Sequence, residues 1–301
     1  MYIHNLTKKF PKLQKFTINL LFNPKINKIK LLEYFKKVTN WIRLYPDYII
    51  IGAVKCGTTS LFNYLRAHPD IIPSYIKEVQ FFNSNNYYLG FKWYRTFFPI
   101  LLFKYFYKYI LKRKFITGEA SADYILHPSV AKRIYSLLPN VKIIILLRNP
   151  VDRAYSDYNR NVKYKLEKLT FEEVIEKENE LLKGGIDRIL LDEHYNEFKN
   201  KRLFYLLRGI YFNQIKFWFR YFPKEHILIL KSEAFFDNPP AILKKVFKFL
   251  EIPNWRLFEY KKWGKRNYQK MDDKTRNWLI NYYKPYNKRL YELLGRNFNW
   301  D

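Results

Sequence analysis

The sequence predicts an α/β fold, a central parallel sheet flanked by helices, and three observations carry that expectation. Two aliphatic runs of strand length, "DYIIIG" and Val141–Leu147 ("VKIIILL"), are unbroken rather than alternating, as in strands buried on both faces. Each leads into a stretch whose apolar residues fall at helical spacing. A third run, His226–Glu233 ("HILILKSE"), lies between two helical stretches, so strands and helices alternate along the chain.

Taken in order, residues 1–45 read as a helical or partly loose leader ending near Pro46, and residues 46–301 as one domain. After the first strand, "TTSLFNYLRAH" places Leu61, Tyr64 and Leu65 on one helical face. After the second, Pro150 stands where a helix would start. The helical "YFNQIKFWFRYF" precedes the third strand and "PPAILKKVFKFLEI" follows it. The chain closes on a further helix, "DDKTRNWLINYYKPYNKRLYELLG".

A chain of 301 residues suits a single domain with insertions. Its 48% hydrophobic and 20% aromatic content excludes a disordered chain, which could not bury enough apolar surface to offset its ordering entropy. One cysteine, Cys56, rules out an intrachain disulfide framework and a cysteine-based metal site, and suggests a reducing environment. The net charge of +28 invites a polyanion. Yet the cations are scattered, and an abundance of Lys, Asn, Ile and Tyr over Gly and Ala explains the charge equally well. No run approaches the ~20 apolar residues of a membrane span. The start, with its apolar "FTINLLF" between charges, lacks a small-residue cleavage site. A cytoplasmic location is the expectation, with peripheral membrane contact through this basic start as the lesser alternative.

In an open parallel sheet, ligands bind beyond the carboxyl ends of the strands. Two special segments lie there. In "GAVKCGTTS", Gly52 and Gly57 keep the spacing of a nucleotide-hydrolysing P-loop, but Thr58 follows Gly57 and the lysine stands at Lys55. Backbone N–H groups of such a turn and a helix N-terminus form an anion cradle, to which Lys55, Thr58, Thr59 and Ser60 add an ammonium and hydroxyls. In "RNPVDRAYS", Arg148 offers a planar fork for a phosphate, and Ser156, two helical turns on, joins it only by a bent approach. Each signal alone is weak. Together, after two central strands, they suggest a ligand with two separated phosphate groups.

Three ordered motifs, "AVKCGTTSL", "KEVQFFN" and "LLRNPVDRAYSDY", resemble sulfotransferases that use 3′-phosphoadenosine 5′-phosphosulfate (PAPS), in particular the heparan-sulfate-type and related bacterial enzymes. The resemblance runs from about Tyr48 to Asp301 and implies a P-loop-like three-layer fold. It implies that Lys55 sits at the bridging oxygen between phosphate and sulfate, with Cys56, Gly57, Thr58, Thr59 and Ser60 around the 5′-phosphate. Arg148 and Ser156 would take the 3′-phosphate. "WGKRNYQKMD" resembles the family's C-terminal nucleotide loop, with Arg266, Lys265 and Tyr268 as ligands. Glu78 matches the catalytic carboxylate, which takes a proton from the attacking acceptor, while Lys55 offsets charge on the leaving phosphate. Lys77, Gln80, Ser121 and His127 are the residues expected on the acceptor side.

The resemblance further implies PAPS as donor, PAP as product, no metal, no nucleic-acid partner, and an acceptor hydroxyl or amine on a carbohydrate, a glycoconjugate or another small molecule. One departure stands out: "GEASADY" has Ala120 where the heparan-sulfate enzymes carry lysine, so their substrate is not carried over. Two other readings compete. A kinase or NTPase lacks its lysine after Gly57, and "VKIIILLRNP" supplies no acidic residue for magnesium. A non-catalytic polyanion-binding protein would rest on charge alone. His4, His68, His127, His194 and His226 have no metal-ligand spacing. Tyr87, Tyr88, Trp93 and Tyr94 suit either sugar stacking or a core. Loops at Asn83–Lys114 and Val162–Lys201 are the expected walls of the acceptor pocket.

Overall fold

The computed structural model describes residues 38–184, 204–264 and 268–300. Its centre is a four-stranded sheet in the order β2-β1-β3-β4, every neighbouring pair parallel. β1 is Tyr48–Gly52, β2 Gly118–Ala120, β3 Lys142–Leu147 and β4 Ile227–Lys231. The unbroken aliphatic runs are explained by this position: all five residues of β1 are buried, and so are five of the six in β3. Ile144, fully buried at the sheet centre, would cost about 2–5 kcal/mol if cut to alanine.

β2 is the short edge strand that the sequence reading passed over. It pairs Tyr48 with Gly118 so closely that a Cβ at Gly118 would lie 2.5 Å from the Tyr48 carbonyl oxygen. Only glycine fits there.

The longer helices are α1 (Thr58–Arg66), α2 (Pro128–Leu137), α3 (Pro150–Lys163) and α4 (Phe171–Leu182). They continue with α5 (Tyr211–Phe219), α6 (Pro239–Leu250) and α7 (Asp273–Leu294). Their starts are written in local chemistry. Pro150 occupies the first turn of α3, and the Asn149 side chain accepts from the Val151 N–H. Thr170 and Glu173 form a capping box on α4, and Asp272 caps α7.

Most buried side chains form one core around the sheet. A second cluster joins α3, α4 and α7 to the segment Phe204–Ile210. There Glu178, fully buried, accepts from the Leu206 and Leu207 N–H groups at 2.8 Å each. Burial nevertheless pushes its carboxyl up to about 7.

Of the expected leader, residues 1–37 lie outside the described residues. Its end, 38–45, packs on the domain: Arg43 Nη1 donates to Phe98 O at 2.6 Å, and Arg95 Nε to Arg43 O at 2.9 Å. Between Ile100 and Lys114 a short helix, Leu101–Tyr105, runs into a wider π-helical turn, Phe106–Ile110. This segment then feeds β2 through Phe115–Thr117.

Candidate active site

The carboxyl ends of all four strands open into one cleft of about 710 Å³. The turn after β1 contributes Val54, Lys55, Gly57, Thr58 and Thr59, and the turn and helix after β3 contribute Arg148, Asp152, Ser156 and Arg160. Ala122 and Asp123 follow β2, while Glu233 and Phe236 follow β4. Lys77, Glu78 and Gln80 form one rim; Lys262, Trp263, Gly264 and Tyr268 form another. The two anion-binding segments expected from the sequence thus meet in a single cavity.

The first loop reverses direction through two left-handed residues, Lys55 (φ 68°) and Gly57 (φ 97°). A Cβ at Gly57 would lie 2.9 Å from the Phe236 ring. The N-cap of α1, Gly57, has no side chain to cap the helix, and among the described residues its first N–H groups, at Thr58 and Thr59, remain available beside the cleft.

Cys56 and Ser60, expected around the phosphate, face elsewhere. Cys56 is fully buried, with Sγ 3.6 Å from Val54 O and 3.7 Å from the Tyr211 hydroxyl. Its N–H donates to Ala53 O, and burial pushes its thiol up to about 11. Ser60, in the first turn of α1, is fully buried, and its Oγ accepts from the Trp263 N–H at 3.1 Å. Nearby, the Tyr64 hydroxyl donates to Lys261 O at 3.0 Å. α1 therefore pins the backbone at 261–263.

Glu78 reaches the cleft on a strained backbone, with φ of 62°, and Gln80 two residues on has φ of 53°. The Glu78 N–H donates to Ala120 O at 2.8 Å. Its Oε2 accepts from the Ala122 N–H and Gln80 Nε2 at 2.9 Å each, and its Oε1 is paired with Lys77. Its side chain keeps 36% exposure, enough to meet a substrate.

Beneath it, Ser121 Oγ accepts from the Gln80 N–H at 3.2 Å and donates to Glu119 Oε2 at 2.7 Å. Ser121 is thus a buried support for the Glu78 rim, a correction to its expected acceptor contact. Glu119 is fully buried and also takes the hydroxyls of Tyr94 and Tyr124, at 2.6 and 3.2 Å. Burial outweighs those donors and pushes its carboxyl up to about 7. His127 is likewise placed away from the cleft lining: it caps α2, with Nδ1 accepting from the Ser129 N–H at 3.2 Å. Its neighbour Pro128 starts that helix, which explains why the ring turns back to the backbone.

Arg148 and Ser156 share the cleft with Arg160, which the sequence reading missed. Behind them lies buried Asp157, in reach of Arg153 (3.3 Å), Arg160 (3.0 Å) and Arg208 (3.6 Å). Burial resists ionisation of Asp157, but the charges of Arg208, Arg153, Arg160 and Lys55 together hold its carboxyl below the usual range. The Arg153–Asp157 pair at i,i+4 was the available signal. Arg208 also pairs with Asp123 at 3.0 Å, tying the β2 and β3 sides of the cleft together.

Tyr268 lines the cleft and meets the Tyr155 ring edge-on at 5.4 Å. Lys265 and Arg266 lie outside the described residues, as do His4 and His194. Among the described residues, no group of three His, Cys, Asp or Glu side chains is placed to hold a metal ion. Of the aromatics after Glu78, Tyr94 is core and stacks on Phe81 at 4.8 Å, Tyr87 lies under Arg133, and Tyr88 is exposed.

A parallel sheet, an uncapped helix N-terminus after β1 and arginines after β3, all facing one cleft, define an α/β protein of the P-loop kind, built to hold anions. Residues 45–287 match the family model described as sulfotransferase domain, and the chain belongs to that family. It is 30% identical over 322 residues to the membrane-associated sulfotransferase kil1 of Dictyostelium discoideum, covering 85% of this chain and 66% of that protein. It is 31% identical to the human bifunctional heparan sulfate N-deacetylase/N-sulfotransferase 3, covering 83% of this chain but 30% of that protein. The chain thus spans just under two thirds of the first relative and under a third of the second. Among solved structures, the sulfotransferase from Alicyclobacillus acidocaldarius superposes with a TM-score of 0.65 at 27% identity, over 85% of this chain and 99% of that one.

Proposed function

We propose that the chain moves a sulfuryl group from PAPS to a hydroxyl or amine of a carbohydrate or glycoconjugate. The reading is carried by one observation: Lys55 and Glu78, from separate segments, line the same cleft as Arg148 and Ser156. The fit to the donor is chemical. An uncapped helix N-terminus with Lys55 and two threonines suits a phosphosulfate, and Arg148, Ser156 and Arg160 suit a second phosphate beyond it.

In this reading Glu78 accepts the acceptor's proton as its oxygen or nitrogen bonds to sulfur. The bond from sulfur to the bridging oxygen breaks, its electron pair stays on the departing phosphate, and the Lys55 ammonium offsets that charge. Ala122 N–H and Gln80 hold the carboxylate in place. Lys77, paired with Glu78, supplies a cation beside the base, whereas Ala120 is buried in β2 and presents none. The carbohydrate acceptor is supported by the heparan sulfate relatives and by the open rim at Glu78.

Glu78→Gln should retain PAP binding without magnesium and lose about 10²–10⁴-fold in transfer of labelled sulfate to a glycan panel. Normal turnover by that variant would sink the base assignment. Family membership sets aside the triphosphate-hydrolase reading, which also lacks its lysine after Gly57.

A further inference from the structure

We propose that the helical segment Leu101–Ile110 docks the protein on an anionic lipid bilayer. A surface helix ordinarily buries one apolar face. This one exposes apolar side chains all round: Leu102 and Ile110 at 68% each, Tyr109 at 53%, with Phe103 and Phe106 also exposed. Tyr107 alone turns partly inward, against the Phe115 ring at 5.0 Å. A protein groove would cover one face, whereas a fluid interface surrounds a protruding helix.

The charge pattern selects the lipid. Lys104, Lys108 and Lys112 recur every four residues and are all exposed, a stripe whose ammonium groups reach headgroups while their stems lie along the apolar body. From Phe91 to Thr117 there is no Asp or Glu, against seven Lys and Arg. Interleaved Phe and Tyr suit the boundary between headgroups and acyl chains. Ten helical residues span about 15 Å at most, half a hydrocarbon core of about 30 Å. The segment therefore lies in the interface. It enters β2 at the amino edge of the sheet, opposite the cleft, so docking leaves the cleft open.

The test is co-sedimentation of the full chain with phosphatidylserine–phosphatidylcholine vesicles and with pure phosphatidylcholine vesicles. The protein should pellet with the first far more than with the second. Replacing Lys104, Lys108 and Lys112 by Gln together should weaken that binding about a hundredfold, roughly fivefold per cation. Leu102→Asp with Ile110→Asp should abolish it while leaving the PAP-induced rise in melting temperature unchanged. No pelleting with anionic vesicles overturns the proposal. So does pelleting that survives the Asp double variant, which would move the contact to another segment such as residues 1–37. A dimer that the double variant dissolves, without vesicle binding, would assign the face to a second copy of the chain.

Discussion

Lys55, Glu78 and Gln80 carry left-handed backbone angles around one cleft, at 68°, 62° and 53°. Side chains pay such strain only where the surroundings over-determine it; here the Glu78 N–H donates to Ala120 O, its carboxylate accepts from the Ala122 N–H, and the Gln80 N–H donates to Ser121 Oγ. That Lys55, Arg148 and Ser156 line the cleft was legible because each sits in a motif beyond a strand end, and Glu78 because of the motif "KEVQFFN" in the segment between α1 and β2. Cys56, Ser60, Ser121 and His127 were not, because motif position does not fix which way a side chain points. Glu119 supplies a pH test. Its carboxyl is raised from 4.5 to about 7, so its contribution to folding is full below about 4.5 and drains as pH rises through 7. Glu119→Gln, a mimic of the neutral form, should melt progressively higher relative to the parent between about pH 5 and pH 8. A difference that shrinks over that range would reverse the sign.

At the scale of elements, the strand–loop–helix from β1 to α1 was readable from a buried aliphatic run, two glycines and helical spacing. β2 was not, because three residues show no periodicity and its pairing is set by the close approach of Gly118 to Tyr48. α4 was missed although Thr170 and Glu173 mark its start, since its partners, α3, α7 and Phe204–Ile210, are remote in sequence. The loop's shape rests on Gly57, with φ of 97° and the Phe236 ring close by. Gly57→Ala should destabilise the fold by about 1–3 kcal/mol and abolish PAP binding, read by thermal melts with and without the nucleotide. Wild-type binding by that variant would remove the turn from the proposed donor site.

For the whole molecule, alternating strands and helices foretold the layers, but not the convergence of four strand ends on one cavity. That convergence depends on strand order, which no local pattern encodes. A ligand held by all four strand ends stabilises the entire domain. PAP at a hundred times its dissociation constant should add about 2.7 kcal/mol, a rise of roughly 4 °C in melting temperature for a chain of this size. An unchanged melt would count against the donor assignment. The bonds from α1 to the backbone at 261–263 join the helix that would hold the donor's phosphate in the proposed function to a segment some 200 residues later. In the proposed donor site their expected consequence is kinetic: they would set how long the spent nucleotide dwells before escaping. Ser60→Ala should quicken PAP escape in stopped-flow displacement while a single turnover proceeds at the parental rate, so that steady-state speed and chemical speed come apart.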